Sequence, residues 1–564
     1  MSKWWLSKIS RRQFSSYLLR GSISLAVIPS IFSSCSTEQA VDISYPTLPG
    51  SDYKIGDYFT TLYKSVKPVK DIPGPDDDAF SETDSNLGKW TAGDGSALVT
   101  RKDHGVDSTS STKYQLLYFV QISDIHITDI ESPLRVVTAD APTTTEGAYR
   151  LHSQYSKQVL NSMIRTVNGI AKPKKFDFLI ATGDLIDNDE YVEARWFIDT
   201  LDGKVIHPET GTQDDPIPGP GNDFDDVFQS WGLDKDIPWY VVIGNHDLRP
   251  QGTFFATETL QETAIGDTPL AGTQDGSKPD APKLTDGTIK ITPDPDRKLL
   301  GGDVKDKDAS TYIAEFFNTT SSPKGHGFKS ADEKTGFYTF DPGPGFVRVI
   351  AMDTFSGSNK DGTASGFMTQ DQWNNKIIPA IEQAVKDNKL IIVTSHHPTY
   401  SMESTSEVSG DEMKTKFMSY PNIILHLVGH GHFNKIDYWQ NNDNSQGYWE
   451  IQTSSLIDFP QQARIVEVSY NGDGTGSIFT VMLDHNSPEG CMSEISRELA
   501  ITERQLKLIN PDGLPDGGCV GNDDDRNTEL IFKVPDAVKA QLEANKSSLS
   551  TEIAALTVLK NKIT

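Results

Sequence analysis

Val241-Val242-Ile243-Gly244-Asn245-His246-Asp247-Leu248-Arg249-Pro250 begins as a run of β-favouring residues and breaks, at a glycine, into three side chains with metal-binding or acid–base chemistry. With Tyr240 in front, the apolar run predicts a buried parallel strand, and Gly244 marks the loop that leaves it. In sheets of that kind the loops at the carboxyl ends of the strands carry the chemistry. Gly-Asn is also ordinary turn chemistry, so this stretch alone is balanced between a turn and a site.

Four further predicted strands end in the same way. YQLLYFVQISDIHI ends in Asp124-x-His126, FDFLIATGDLID in Gly183-Asp184, LIIVTSHHP in His396-His397-Pro398, and NIILHLVGHGH in Gly429-His430-Gly431-His432. FVRVIAMDT reads as one more strand. Between them lie helical patterns: Val159, Met163, Val167 and Ile170 recur at helical spacing, as do Trp373, Ile377, Ile381 and Val385. Strands alternating with helices predict a largely parallel sheet covered on both faces. Residues 202–236 and 251–334, rich in Gly, Pro and Asp, read as insertions, since loops so long in a compact domain are lids, caps or small subdomains. Residues 534–563 read as a C-terminal helical stretch.

Six of the twelve histidines fall in the five strand-end groups, together with carboxylates and an amide. A lone histidine is ordinarily a surface or satisfied core residue; six gathered at strand ends are not accounted for that way. Imidazole and carboxylate donors without thiolate suit Mn, Fe or Zn and disfavour a structural cysteine-type zinc site. Asp-x-His and His-x-His let one loop present two ligands, and seven donors are too many for one tetrahedral ion but suit two ions sharing a carboxylate.

The bulk composition narrows the partners. The 564 residues are 36% hydrophobic, enough for a substantial core, and carry a net charge of −27. Such a charge argues against nucleic acid and against an anionic membrane surface, but not against a phosphorylated substrate, because metal ions in a cleft reverse the local sign. At the N-terminus Lys8, Arg11 and Arg12 precede an apolar segment from Ile23 to Phe32, interrupted by Ser24, Pro29 and Ser30 and too short to span a bilayer. Ser10-Arg11-Arg12-Gln13-Phe14 resembles a twin-arginine export signal, and Phe32-Ser33-Ser34-Cys35 resembles a lipobox, which would make Cys35 the lipidated first residue of an exported, periplasmic or cell-surface lipoprotein. Phe32 stands where such boxes usually carry Leu. Cys491 and Cys519 fit one disulfide or two thiols equally well.

The ordered set D-x-H, G-D, G-N-H-D, H-x-P, G-H-x-H resembles the calcineurin-like metallophosphoesterase superfamily, over about Tyr114 to Asp458. With the export signal and the following WEIQTSSLIDFPQQAR, the chain resembles an exported bacterial branch of it. The resemblance implies a four-layer α/β-β/α sandwich of two mixed sheets, with a dinuclear metal site at the strand ends. It implies Asp124, His126 and His432 on one ion, Asn245, His396 and His430 on the other, and Asp184 bridging both. His246 would face the substrate as general acid, with Asp247 orienting it. Purple acid phosphatases carry a tyrosine ligand where this chain has Asp187, which sets that subfamily aside. In the His396-His397 pair the family's ligand is the one two residues before the proline, leaving His397 as a wall residue; His152 and His426 read as structural.

The expected organisation is a signal in residues 1–35, a polar tether and N-terminal segment in 36–112, a metallophosphoesterase domain in 113–490, and an extension with a helix in 491–564. The expected activity is hydrolysis of a phosphate ester by a bridging hydroxide, with two divalent or mixed-valence ions about 3.5 Å apart. Monoester and diester substrates both fit. A metal-binding surface lipoprotein without catalysis is the alternative of a different class, and the intact donor set argues against it.

Overall fold

The strand Tyr114–Ile122, whose last seven residues are buried, is the axis of the larger sheet. On one side it pairs in parallel with Phe178–Ala181, which pairs in parallel with Trp239–Val241. On the other side Gln462–Tyr470, Thr475–Asp484 and Thr528–Lys533 follow in antiparallel order, and Val99–Arg101 closes the edge in parallel, giving seven strands. A second sheet has six strands, ordered Lys435–Gln440, Gly447–Gln452, Ile423–Val428, Leu390–Thr394, Val347–Ala351 and Tyr338–Phe340; its inner pairings are parallel and its two edge pairings antiparallel. The computed structural model describes residues 60–556 apart from 63, 75–76, 82, 136–149, 151, 213–222, 271–290, 303–307, 359–361, 443–445, 488–489 and 508–513. The signal-like stretch with Arg11, Arg12 and Cys35 lies outside the described residues.

Strand alternation builds the sandwich. Val347, Val349, Leu425, Leu427 and Ile451 of the six-stranded sheet share one buried core with Leu117, Phe119, Val466 and Val468 of the seven-stranded sheet. Their neighbours Ile350, Ile391, Val393 and Ile423 point the other way, onto a second apolar layer formed with Ile377, Ile381, Met413 and Phe417 from helices. The helix Ser156–Ala171 buries Val159, Met163, Val167 and Ile170, the stripe its sequence predicts, and packs against Tyr191–Asp202. The fold is therefore mixed α/β, two large mixed sheets with helices, as the resemblance implies.

All five motif-bearing strands lie in the parallel parts: three in one sheet, two in the other. Parallel neighbours end at the same edge, so within each sheet the chemical groups leave side by side.

The boundary expected at residue 490 is not one the sheet observes. Thr528–Lys533 sits inside the seven-stranded sheet, between Thr475–Asp484 and Val99–Arg101, and helix Met492–Gln505 packs on Ser156–Ala171. Both terminal segments thus complete the central domain. The 202–236 insertion forms a two-stranded ribbon, Val205–Ile206 with Phe228–Gln229. Within 251–334 the described residues include helices Glu258–Ala264 and Ser310–Glu315. The C-terminal helical stretch is a helix at Asp536–Asn545. Cys491 and Cys519 are free, buried thiols, not a disulfide. Among the described residues no helix is long and apolar enough to cross a membrane.

If the C-terminal strand is integral, truncating its side chain should behave as a core mutation. Leu530 is fully buried in the shared core, so Leu530→Ala should cost about 2–5 kcal/mol of unfolding free energy in denaturant titration. A loss below about 0.5 kcal/mol, typical of surface sites, would make the strand peripheral.

Candidate metal centre

Three of the five strand-end groups turn sharply, and the backbone records the turn. Asp124, His126, Asp184, His430 and His432 all have left-handed backbone, with φ of 50°, 47°, 50°, 72° and 57°. Among the described residues only eleven non-glycine residues do so, and five are candidate ligands. Such conformations cost about 1–3 kcal/mol each and persist where surrounding contacts enforce them. Glycines make the crowding possible. A β-carbon on Gly183 would run into the His396 ring, and one on Gly244 into the Asp184 carboxylate.

The donors converge in two groups around Asp184. Asp124, His126 and His432 bring their ligand atoms within 4.8 Å of one another, and so do Asp124, Asp184 and His396. His432 Nε2 lies 3.2 Å from Asp124 Oδ1, and Asp184 Oδ2 lies 3.1 Å from His396 Nε2 and 3.7 Å from His126 Nε2. Asn245, 1% exposed, adjoins them, its Nδ2 donating to the Gly252 carbonyl and its Oδ1 without a hydrogen-bond partner. The backbone N–H of His430 donates to Asp124, at 3.0 Å.

The far nitrogens of the imidazoles are held by groups that fix the tautomer. His126 Nδ1 is 2.9 Å from Asp187 Oδ1, His432 Nδ1 is 2.5 Å from Asp458 Oδ2, and His396 Nδ1 is 2.9 Å from the Thr182 carbonyl. Each Nδ1–H donates, so each Nε2 presents a lone pair to the cleft, the arrangement typical of metal-ligating histidines. His126 Nε2 and His432 Nε2 then face each other at 3.2 Å, a contact that a cation relieves. The orphaned Asn245 oxygen and these facing lone pairs, with carboxylates and no thiolate, fit divalent transition ions. The carboxylates add negative charge that a proton or a cation at these Nε2 atoms can meet. Burial opposes charge on His432 and His396, yet Asp124 and Asp184 respectively outweigh it and lift both to about 9. His126 goes the other way, to about 4, through burial and the neighbouring charge of Arg150.

His397 falls beside His396 and His430, but both its ring nitrogens are engaged: Nδ1 with Thr354 Oγ1 at 2.8 Å and Nε2 with the Ala364 carbonyl at 2.9 Å. His426 likewise bonds Ser395 and Glu450. His246 joins the site edge-on to His126, ring centroids 4.4 Å apart. Its Nδ1 is 3.0 Å from the Asp187 carbonyl oxygen and 3.3 Å from Asp187 Oδ1. Burial would lower its pKa, but Asp184 and then Asp187 raise it above the ordinary histidine value.

The expected role of Asp247 is corrected. No bond joins it to His246. Its carboxylate accepts the backbone N–H groups of Gly244, Leu185 and Asp184 at 2.7, 2.8 and 3.0 Å, and the Tyr312 hydroxyl at 2.9 Å. Asp247 is a clamp on two loops, and Asp187 does the orienting. Sequence reasoning placed Asp187 only as a departure from another subfamily and gave Asp458 no role. Asp187 lies three residues after Asp184 in one loop, a signal that could have found it; Asp458, far along the chain, carries none.

The family described as calcineurin-like phosphoesterase matches residues 117–434. A search of curated proteins returned no match. Among solved structures the chain is similar to a 5'-nucleotidase from Candida albicans SC5314, at 11% identity and a TM-score of 0.29, over 71% of this chain. The chain spans 59% of that structure's length.

The clamp assignment separates Asp247 from His246 by experiment. Asp247→Asn turns amide hydrogens towards backbone donors and should destabilise the fold by about 1–3 kcal/mol, read as a lower melting temperature in metal-free protein. His246→Ala should leave that temperature nearly unchanged. Equal stability in the two variants would return Asp247 to an orienting role.

Proposed function

The chain belongs to the calcineurin-like phosphoesterase family, and from that premise we propose that it hydrolyses phosphate esters with two metal ions held by Asp124, His126 and His432 on one side, Asn245, His396 and His430 on the other, and Asp184 between them. The observation that carries this reading is the clustering of Asp124 with His126 and His432 and of Asp124 with Asp184 and His396, with the far ring nitrogens of His126, His432 and His396 tied to carboxylates or a carbonyl. When bound, the ions would supply Lewis-acid activation of water and neutralise charge on the phosphoryl group.

The chain's own residues supply the rest. His246 donates Nδ1–H to Asp187, which leaves Nε2 as its free end. The neighbouring carboxylates favour its protonated form, so it can hand a proton to the departing oxygen. Asp187 orients His126 with one carboxylate oxygen and His246 with its carbonyl, coupling a ligand and an acid through one residue. Burial of Asp124, His126, Asp184, Asp187 and His396 strengthens these interactions by excluding water. The substrate is a phosphorylated small molecule, and a panel of phosphomonoesters and diesters assigns its class. Assayed on chelated protein restored with Mn²⁺, Zn²⁺ or Fe²⁺, the panel should show metal-dependent turnover; none with any ester would leave a binding protein.

His246→Ala should retain both ions and lose roughly 10²- to 10⁴-fold in rate on alkyl esters, with a smaller loss on nitrophenyl esters, whose leaving group needs little protonation. Equal losses on both, or loss of an ion, would make His246 a ligand or a phosphate-positioning residue. Asp184→Asn should lose tight binding of both ions.

We also propose export through the Arg11-Arg12 signal, and tethering through lipid on Cys35. Arg11→Lys with Arg12→Lys should strand the protein in the cytoplasm, and Cys35→Ser should release it from the membrane fraction in soluble form. A membrane fraction unchanged by the cysteine substitution would remove Cys35 as the anchor.

A further inference from the structure

Arg150 is 1% exposed, and its guanidinium stands between two carboxylates: Nε lies 2.7 Å from Asp458 Oδ1 and Nη1 lies 3.8 Å from Asp187 Oδ1. Those carboxylates hold the Nδ1 atoms of His432 and His126, whose Nε2 atoms face each other beside Asp124. One cation therefore backs both orienting carboxylates of a single donor set. Behind Asp458, His152 is fully buried, with Nε2 3.6 Å from Asp458 Oδ1 and Nδ1 3.6 Å from Glu503 Oε2. Glu503 belongs to helix Met492–Gln505, beyond the family match at residues 117–434.

We propose that Arg150, Asp458, His152 and Glu503 form a positioning network for the ion of the Asp124–His126–His432 set, so that the helix Met492–Gln505 is part of the metal site's support. The proposal rests on the two-ion reading above and adds residues to it. Its physical basis is the cost of burying carboxylates. Asp187 and Asp458 are each about 1–2% exposed, and the guanidinium beside both is a buried partner that holds them in line with their histidines. A guanidinium serves better than a point charge, because its planar fork reaches two partners from one rigid group. His152 covers the far side of Asp458 and Glu503 stands beyond it, at charge contacts of 3.6 Å each. His152, Asp458 and Glu503 bring three donor atoms within 4.8 Å of one another, but this is not a further metal site. Both oxygens of Asp458 are already engaged, one by Arg150 and one by His432, and the adjacent guanidinium opposes another cation.

Full-length protein is chelated and titrated with Mn²⁺ by calorimetry, with metal content checked by elemental analysis, for wild type, Arg150→Gln, Arg150→Lys and Glu503→Gln. Wild type should take up two ions. Arg150→Gln should keep one at wild-type affinity and hold the other about 10- to 100-fold more weakly, the loss usual for groups that orient metal ligands. Arg150→Lys should recover part of that loss, which a merely structural role would not predict for the metal step alone. Glu503→Gln, a milder change that keeps the fold if Arg150→Gln does not, should weaken the same ion by a smaller factor. Two ions held at wild-type affinity in both Gln variants would overturn the network. A third tight ion in wild type, lost in Glu503→Gln, would overturn it in favour of a metal at His152. Fewer than two ions in wild type would overturn the two-ion reading itself, which the variants' behaviour relative to wild type keeps distinct.

Discussion

The Asp247 carboxylate gathers backbone N–H groups from two loops at once: Gly244 from its own, Asp184 and Leu185 from the loop after the neighbouring parallel strand. Those loops leave adjacent strand ends, and the clamp adds to the backbone bonds that join them there, Val242 N–H to the Ala181 carbonyl and Gln251 N–H to the Asp187 carbonyl. With the clamp in place the His246 N–H reaches Asp184 Oδ1 at 2.9 Å, and the carboxylate of Asp184 turns into the cleft. The acid side chain, the central carboxylate and the Asn245 amide then occupy fixed relative positions. A fully buried carboxylate with no cation on it is stable there because five hydrogen bonds stand in for water: four from backbone N–H groups, that of Ile186 included, and one from Tyr312.

The same economy of buried charge runs through the site. Asp124, Asp184, Asp187 and Asp458 all lie within it, and among the described residues only Arg150 supplies a permanent positive side chain at these hydrogen-bonded carboxylates. The excess appears as histidines lifted to about 9 beside Asp124 and Asp184. Protons on those imidazoles occupy the places where ligand lone pairs would meet a cation. A metal of the right size and ligand preference meets the same electrostatic demand with more directionality.

How much of this could be read from sequence follows from how local each feature is. Asp124-x-His126 or Gly244-Asn245-His246 is complete within one loop, so residue type, spacing and the apolar run before it suffice. The pairing of five such loops follows from parallel strands sharing an edge, a rule of topology. Asp458 and Arg150 act through contacts across 308 positions of chain, and no spacing encodes that. Asp247 misled for the opposite reason. The resemblance implied that it orients its neighbour His246, but in a tight turn neighbouring side chains diverge, and the carboxylate found backbone donors instead. The place of Thr528–Lys533 was hidden in a similar way, because the strand is short, and only its partners show that it sits inside the sheet.

Five left-handed backbone positions at the ligands, each worth about 1–3 kcal/mol of strain, need a scaffold that does not yield. The two sheets provide it from within, through a core that runs unbroken from one to the other. Helix Met492–Gln505 provides it from outside, through Glu503, His152 and Asp458. Strain is thus concentrated at the loop tips, and resistance to it is distributed over segments far away in sequence. Relaxing the loops would relieve the backbone but move His126 and His432 off their carboxylates. The chain keeps the strained conformation because the far nitrogens of His126, His432 and His396 are tied to groups that are themselves buried and bonded.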